Sequence, residues 1–467
     1  MRALHWFRQD LRLADNPAFR AAAADGEVLC IYVLDDHNAG DAALGGASRW
    51  WLHQSLAVLD QSLGGALAVY AGDAREILPA LVREHRIDCV HWNRCYEPWR
   101  IRRDRDIKVA LTEQGARVTS HNGSLLWEPW EVHKKDETPY KVFTPFYRKG
   151  CLNAMAPRAP LPAPAELDPI SAADGKRLDS LKLMPRIPWY SGFESVWTPG
   201  EAGAHARLDS VRARELREYA RGRDLPAAET VSRLSPHLQF GEVSPNQAWH
   251  MALSLPDTDD RDRFCTELGW REFSHHLLYH WPSLPAENWQ PKFNAMPWRD
   301  DAALRGAWQA GQTGIPIVDA GMRELWETGY MHNRVRMVVG SFLVKNLLQH
   351  WRHGAAWFHD TLVDASLASN SASWQWVAGS GADAAPFFRI FNPVTQGEKF
   401  DAEGEYTRKW VPELARMPKK HLFAPWLAPH DILADAGVTL GVNYPHPIVD
   451  LAESRKAALA ALAETKT

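Results

Sequence analysis

Five short apolar runs crowd into the first 123 residues, and no run of that kind follows them: LHWF (4–7), VLCIYVLD (28–35), ALAVYAG (66–72), CVHWNRCY (89–96) and RVTSHNG (117–123). Helix-length segments separate them. Strands that alternate with helices need crossover connections, which build a parallel sheet with helices on both faces. The spacing therefore predicts a Rossmann-like, doubly wound α/β domain over residues 1–130. In such sheets ligands sit outside the carboxyl ends of the strands, here beside FRQDLRLADN and WNRCYEPWR. The first run is not followed by GxGxxG, so a dinucleotide pyrophosphate is not expected there. Residues 131–199 turn proline-rich and irregular (APRAPLPAPAELDP, MPRIPWYSG) and read as a connector. Beyond residue 200 only helical patterns remain, which predicts an all-α domain over 200–467.

A chain of 467 residues, 45% hydrophobic, is long enough for two or three domains with sizeable cores. Its anomaly is 22 tryptophans, which thicken between Trp249 and Trp426, where Leu or Phe would pack equally well. Indole chemistry is the alternative to packing. The start, MRALHWFRQDLR, places Arg and Asp where a signal peptide needs an apolar stretch, and no run approaches the ~20 apolar residues of a membrane span. A cytoplasmic protein without a membrane partner is expected. Cys30, Cys89, Cys95, Cys151 and Cys265 form no CxxC pair, so neither a metal site nor a disulfide framework is expected. The formal net charge of −4 carries no global nucleic-acid footprint, yet SVRARELREYARGRD and YMHNRVRM concentrate arginine locally.

Four segments carry candidate chemistry. In YMHNRVRM, Asn333 and Met337 share a helix face at i and i+4, with Arg336 beside them. In ELGWREF, Glu267, Trp270 and Arg271 combine a carboxylate, a flat ring and a cation; the set suits a stacked base and its phosphate, or equally an internal salt-bridge layer. SRLSPHLQFGEVSP puts hydroxyls and an arginine before helix starts, with Ser244 and Pro245 in the cap and first-turn positions. In LVDASLASNSASWQW, Asn370 and Trp374 share a face, while Trp376, about 200° further round, looks elsewhere. The histidines of HHLLYHWP have no HExxH spacing and read as polar helix residues.

Taken in order, WFRQDLRLADNP, YKVFTPF, SRLSPHL, ELGWREF, TGIPIVDAGMREL, MHNRVRM and SWQWVAGSGADAAPFFRIFNPVTQGEKFD resemble the photolyase/cryptochrome family, cyclobutane pyrimidine dimer type, from end to end. The resemblance implies an α/β antenna domain and a helical domain holding U-shaped FAD, active as FADH⁻, with UV-damaged DNA as substrate and a monomeric chain. It implies that Trp374, Trp351 and Trp298 relay electrons between flavin and surface. Asn370 would face flavin N5, and Asp364 would pair with Arg336 at the isoalloxazine edge, flanked by Ala365 and Ser366. Tyr219, Val231, Ser232, Arg233, Leu234 and Ser235 would line the FAD phosphates. Around the flipped dimer it implies Glu267, Trp270, Arg271, Asn333, Met337 and Trp376, with Arg223, Arg334, Arg389 and Gln396 toward DNA.

The sequence departs from the family pattern where Ser366 stands for a carboxylate, Val231 for threonine and Tyr330 for tryptophan. A cryptochrome-type photoreceptor and a (6-4) photolyase are the rival readings; Asn370 favours the photolyase over plant-type cryptochromes, and Met337 disfavours (6-4) repair. A light-independent flavin or nucleotide-binding protein is the rival from another class. A second, antenna chromophore is expected near Arg8, Asp10 and Glu97, and methenyltetrahydrofolate, a deazaflavin and FMN stay open as its identity.

Overall fold

A computed structural model describes residues 1–172, 177–228, 230–256, 258–384 and 388–465. Strands β1 (Arg2–Phe7), β2 (Glu27–Leu34), β3 (Leu67–Ala71), β4 (Cys89–Asn93) and β5 (Arg117–His121) form one parallel sheet in the order β3-β2-β1-β4-β5. The apolar runs become strands because both sheet faces are covered. Seven of the eight β2 residues are buried, so the run reads as continuously apolar rather than alternating. Phe7, Cys30 and Cys89 pack on one face with Phe19 and Trp51, whereas Leu4, Trp6 and Val90 pack on the other with Leu78 and Ile107. The runs at 89–96 and 117–123 leave the sheet at Asn93 and His121, and their last residues form the loops above it. Strand order reverses between β1 and β4, which opens a crevice at their carboxyl ends.

From 131 to 199 the regular elements of the described residues are short helical turns, such as Phe143–Pro145, Leu178–Leu181 and Trp189–Ser195. It is nonetheless anchored: the Val28 amide donates to Asp168, and the Ile170 amide donates to Val28. Every later regular element is helical. The helices that matter for the site are Pro245–Leu253, Asp259–His280, Pro316–Thr328, Asn333–Ser341, Trp351–Thr361, Leu367–Ala378 and Pro393–Phe400. Ser244 and Pro245 occupy the cap and first-turn positions expected of them, and Gln247 closes a capping box with Ser244.

The α/β and helical parts share a buried polar seam. Arg12, 1% exposed, donates to the carbonyls of Asp15, Gly123 and Gly241. Gly241 has φ +67°, and a Cβ there would lie 2.1 Å from the Gln9 carbonyl, so this contact requires glycine. Glu272 accepts from the Leu126 and Trp127 amides at 2.9 and 3.3 Å and fixes the second half of the 259–280 helix to the loop after β5. Among the described residues no helix is long and apolar enough to cross a membrane. The five cysteines are free and buried.

Candidate functional site

One wall of the site is assembled around Asp364. Its Oδ2 accepts from Ser235 Oγ at 2.6 Å and from an Arg336 guanidinium nitrogen at 2.9 Å, and its side chain is 5% exposed. Burial alone would lower the Arg336 pKa; the facing Asp364 carboxylate outweighs it and raises the value. Arg336 is further held by a bond to the Met331 carbonyl and lies 5.2 Å above the Tyr330 ring. Arg233, in the left-handed region at φ +50°, covers the same ring at 5.3 Å. Tyr330 thus does the work of a tryptophan as a flat surface between two guanidiniums, and burial raises its phenol to about 12.

Ser366 has a structural task of its own. It caps the 367–378 helix, its Oγ accepting from the Ser369 amide at 3.4 Å, so the hydroxyl retains the capping chemistry that an aspartate would supply. Ala365 and Leu234 are buried, and Val231 and Ser232 are half-buried, while Ser235 is open to solvent. Tyr219 is buried, and burial raises its pKa. Asn370 donates to the Ala355 carbonyl at 2.8 Å, which orients its amide.

The two indoles one residue apart do diverge. Trp374 is 3% exposed and packs edge-on against Phe358 and Trp308. A Cβ at Gly354 would lie 2.0 Å from its ring, so the 351–361 helix approaches it through a glycine. Trp351, 1% exposed, donates from Nε1 to Asn288 at 2.9 Å; the His350 ring lies 5.5 Å from it and 5.1 Å from partly exposed Trp298. Burial therefore falls from Trp374 and Trp351 to Trp298. Trp376, two residues on and so about 200° round the helix, is half-buried and packs at the edge of the cluster that holds Trp374. Between the two indoles fully buried Gln375 donates to the Leu284 and Glu287 carbonyls and accepts from the Trp289 amide, tying the 284–289 loop to this helix.

The second wall comes from the 259–280 helix. Glu267 pairs with Arg223 at 2.7 Å and Arg263 at 3.6 Å with 26% of its side chain exposed; burial raises its pKa against the opposing pull of those arginines. Trp270 stacks on Phe143 at 3.6 Å and 10°. Asn333 is exposed and Met337 half-buried on the 333–341 helix. Arg334 pairs with Asp224 at 2.9 Å and lies 4.3 Å above Phe400. Arg389 is exposed and Gln396 half-buried. Residues 385–387 of the aromatic and arginine segment lie outside the described residues.

Arg271 lies in an internal salt-bridge layer, one of the two readings open for its segment. It donates to the Ser124 carbonyl at 2.8 Å and to Glu272 at 3.2 Å, within the seam. Burial lowers its pKa. Phe143, Asp224 and Gln375 went unnoticed in the sequence because each acts through a partner distant in the chain, whereas Arg263 was legible as the i,i+4 partner of Glu267 and was missed. A stacked ladder of Trp357, Trp326 and Trp189 also went unnoticed, with ring separations of 5.9 and 4.8 Å.

The site fits a large anionic nucleotide cofactor. Asp364 Oδ1, Thr230 Oγ1 and His332 Nε2 are buried without hydrogen-bond partners, and the Arg336 guanidinium lies against Asp364. Unpartnered buried polar atoms carry a cost that a ligand removes.

Residues 3–165 match the family model described as DNA photolyase, and residues 264–464 match that described as FAD binding domain of DNA photolyase. A deoxyribodipyrimidine photo-lyase of Agrobacterium fabrum is 49% identical over 99% of this chain and 97% of its own length. Cryptochrome-2 of Arabidopsis thaliana is 36% identical over 99% of this chain and 78% of its own. The crystal structure of a bacterial class III photolyase from Agrobacterium tumefaciens superposes with a TM-score of 0.96 at 48% identity, covering 100% of this chain and 98% of that one.

Proposed function

The chain belongs to the DNA photolyase family, and from that premise we infer that it binds FAD and repairs cyclobutane pyrimidine dimers in UV-damaged DNA in a light-dependent reaction. The observation that carries the reading is the two-sided 367–378 helix, with a buried indole on one side and a half-buried indole on the other. One side suits electron passage, the other a stacked base.

Bound FAD supplies light-driven one-electron chemistry that no side chain offers. Asp364, Arg336 and Ser235 would hold its ring system, and Tyr219, Val231, Ser232, Arg233 and Leu234 its phosphates. Trp374 and Trp351, both buried, and partly exposed Trp298 would form a path along which an electron reaches the buried site from solvent. Asn370, oriented by Ala355, presents an amide to the ring system.

The dimer must leave the duplex to reach such a site, and its damaged stacking lowers that cost. Trp376 and the Trp270–Phe143 stack would then give it flat apolar walls, with Asn333 and Met337 at the base edges. Glu267, its pKa raised, is suited to hydrogen-bond the dimer bases while Arg223 holds it in place. Arg334, Arg389 and Gln396 would hold the backbone without reading sequence. Breaking two carbon–carbon bonds of the cyclobutane ring restores two pyrimidines with no net redox change.

A second, light-harvesting chromophore would occupy the crevice above β1 and β4. Beside it, at the carboxyl ends of β1 and β2, Trp6, Tyr32, Trp99, Arg8, Arg100 and Arg103 line a pocket together with Asp35 and Asp36, an aromatic and charged lining that suits a flat, polar ring system. Gln9 and Glu97, joined at 2.9 Å, link the loops that follow β1 and β4. Folate, deazaflavin and flavin all meet that description.

The test is an illuminated assay with reduced, FAD-loaded protein and an oligonucleotide bearing one thymine dimer. Light-dependent return of the thymines, absent in the dark, is the expected result. Flavin photoreduction without repair would replace this reading with a cryptochrome-type photoreceptor, the reading favoured by the likeness to Cryptochrome-2.

A further inference from the structure

At the end of the sheet opposite the crevice, three potential metal ligands meet. Cys89 and His91 are two residues apart on β4 and therefore face the same side, toward the helix Pro17–Asp25 whose last residue is Asp25. One sulfur, one imidazole nitrogen and one carboxylate oxygen lie within 4.8 Å of one another. Cys89 is 0% and His91 3% exposed, whereas Asp25 keeps 23% of its side chain open, which leaves a route from solvent.

The protonation pattern is informative. Three donors converge on a single oxygen, Asp25 Oδ2: Cys89 Sγ at 3.2 Å, His91 Nε2 at 2.8 Å and Arg117 at 2.6 Å. Two of those three donors are groups that lose a proton to bind a metal. His91 Nδ1 lies 3.2 Å from His121 Nε2, the outer hydrogen bond that fixes the tautomer of a ligating imidazole. His5, in register with His91 on β1 and 0% exposed, has both ring nitrogens without a hydrogen-bond partner, an unused base beside the cluster. The carboxyl end of a helix adds a favourable field for a cation.

We propose that Asp25, Cys89 and His91 bind one borderline-soft divalent cation of the zinc class, with water in the fourth position and His121 behind His91. Zinc bonds of about 2.0–2.3 Å to oxygen, nitrogen and sulfur put tetrahedral ligands roughly 3–4 Å apart, within reach of small side-chain shifts. Binding releases the Cys89 proton to solvent, moves the single ring proton of neutral His91 from Nε2 to Nδ1, where it is donated to His121 Nε2, and displaces Arg117, which is 56% exposed and free to swing away. A hard cation such as magnesium is disfavoured by the thiolate. The ion would clamp the 17–25 helix to β4, far from the flavin side. A CxxC search misses the arrangement because alternation along a strand, rather than a turn, brings cysteine and histidine together.

The test is cobalt titration of the chelator-treated, full-length, FAD-loaded protein. A thiolate-to-cobalt charge-transfer band that saturates at one cobalt per chain, is displaced by zinc, and is lost in Cys89→Ser is expected, with repair activity unchanged. Arg117→Ala, a surface change that tests the site even if Cys89→Ser misfolds, should tighten cobalt binding several-fold by removing the competing cation. A wild-type protein without the band, a band of equal size in Cys89→Ser, or an affinity unmoved by Arg117→Ala would overturn the assignment.

Discussion

The two walls of the site are built on opposite principles. On the Asp364 wall, charges are buried and paired before any ligand arrives: Asp364 with Arg336 and Ser235, Asn370 with Ala355, Trp374 against Phe358 and Trp308. On the Glu267 wall, Trp376, Met337 and Glu267 are half-buried, and Asn333 is exposed. A resident cofactor rewards preorganisation, since its site is formed once. A substrate that enters and leaves needs surface that stays accessible. The family's light-driven chemistry joins the two along one helix.

The sharpest way to break this comparison is to remove a charge from the inner wall. Asp364→Ala takes the carboxylate from the Arg336 guanidinium, which is 26% exposed and keeps its bond to the Met331 carbonyl, and costs about 1–3 kcal/mol. The variant should lose FAD on gel filtration and melt earlier than the parent, whereas an FAD content equal to the parent's would show that the pair is not part of the cofactor wall.

The paired indoles provide the next test. Trp376→Ala should weaken binding to a dimer-containing oligonucleotide by about 1–3 kcal/mol, the range for a lost base-stacking ring, and leave flavin photoreduction intact. Trp374→Phe should do the reverse, slowing photoreduction in the presence of an external donor while DNA affinity holds. If either variant loses both properties, the division between the two sides of the helix fails.

A smaller effect comes from the seam that holds the outer wall. Burial raises Glu272 to about 7, against the pull of Arg271 and the Trp127 and Leu126 amides. Because the folded state keeps a proton that the unfolded chain releases, this group's contribution to stability is greatest below the ordinary carboxylate range. It declines as pH rises toward about 7 and is flat above. Glu272→Gln should flatten the thermal midpoint between pH 4.5 and 7; an unchanged slope would remove Glu272 as its source.

The smallest expected change is at the rim. Arg334→Ala should weaken binding about equally for all sequences and reduce the salt slope of DNA binding by about 1. An unchanged slope would mean that Asp224 already neutralises this arginine.

Much of this was legible without coordinates. β2 announced itself because a strand covered on both faces must be apolar throughout, and Ser244-Pro245 announced a helix start because capping is local chemistry. Trp374 and Trp376 could be sent to different sides from helical periodicity alone. Arg271 shows where that logic ends. Periodicity places a residue on a flank of its own helix, but which neighbour occupies that flank is a long-range fact. The Trp270–Phe143 stack, the Arg334–Asp224 pair and the Gln375 tether share that limit.

The sequence by itself determined the parallel sheet followed by helices, the family resemblance and most of the candidate site, because those rest on local periodicity and on motifs in fixed order. The tertiary structure alone decided which polar groups are satisfied and which are not: Asp364 Oδ1 without a partner, Glu272 buried in the seam, and Cys89, His91 and Asp25 gathered at the far end of the sheet. Hydrogen-bond satisfaction and desolvation depend on every atom within a few ångströms, and a linear chain does not reveal which distant residues those atoms belong to.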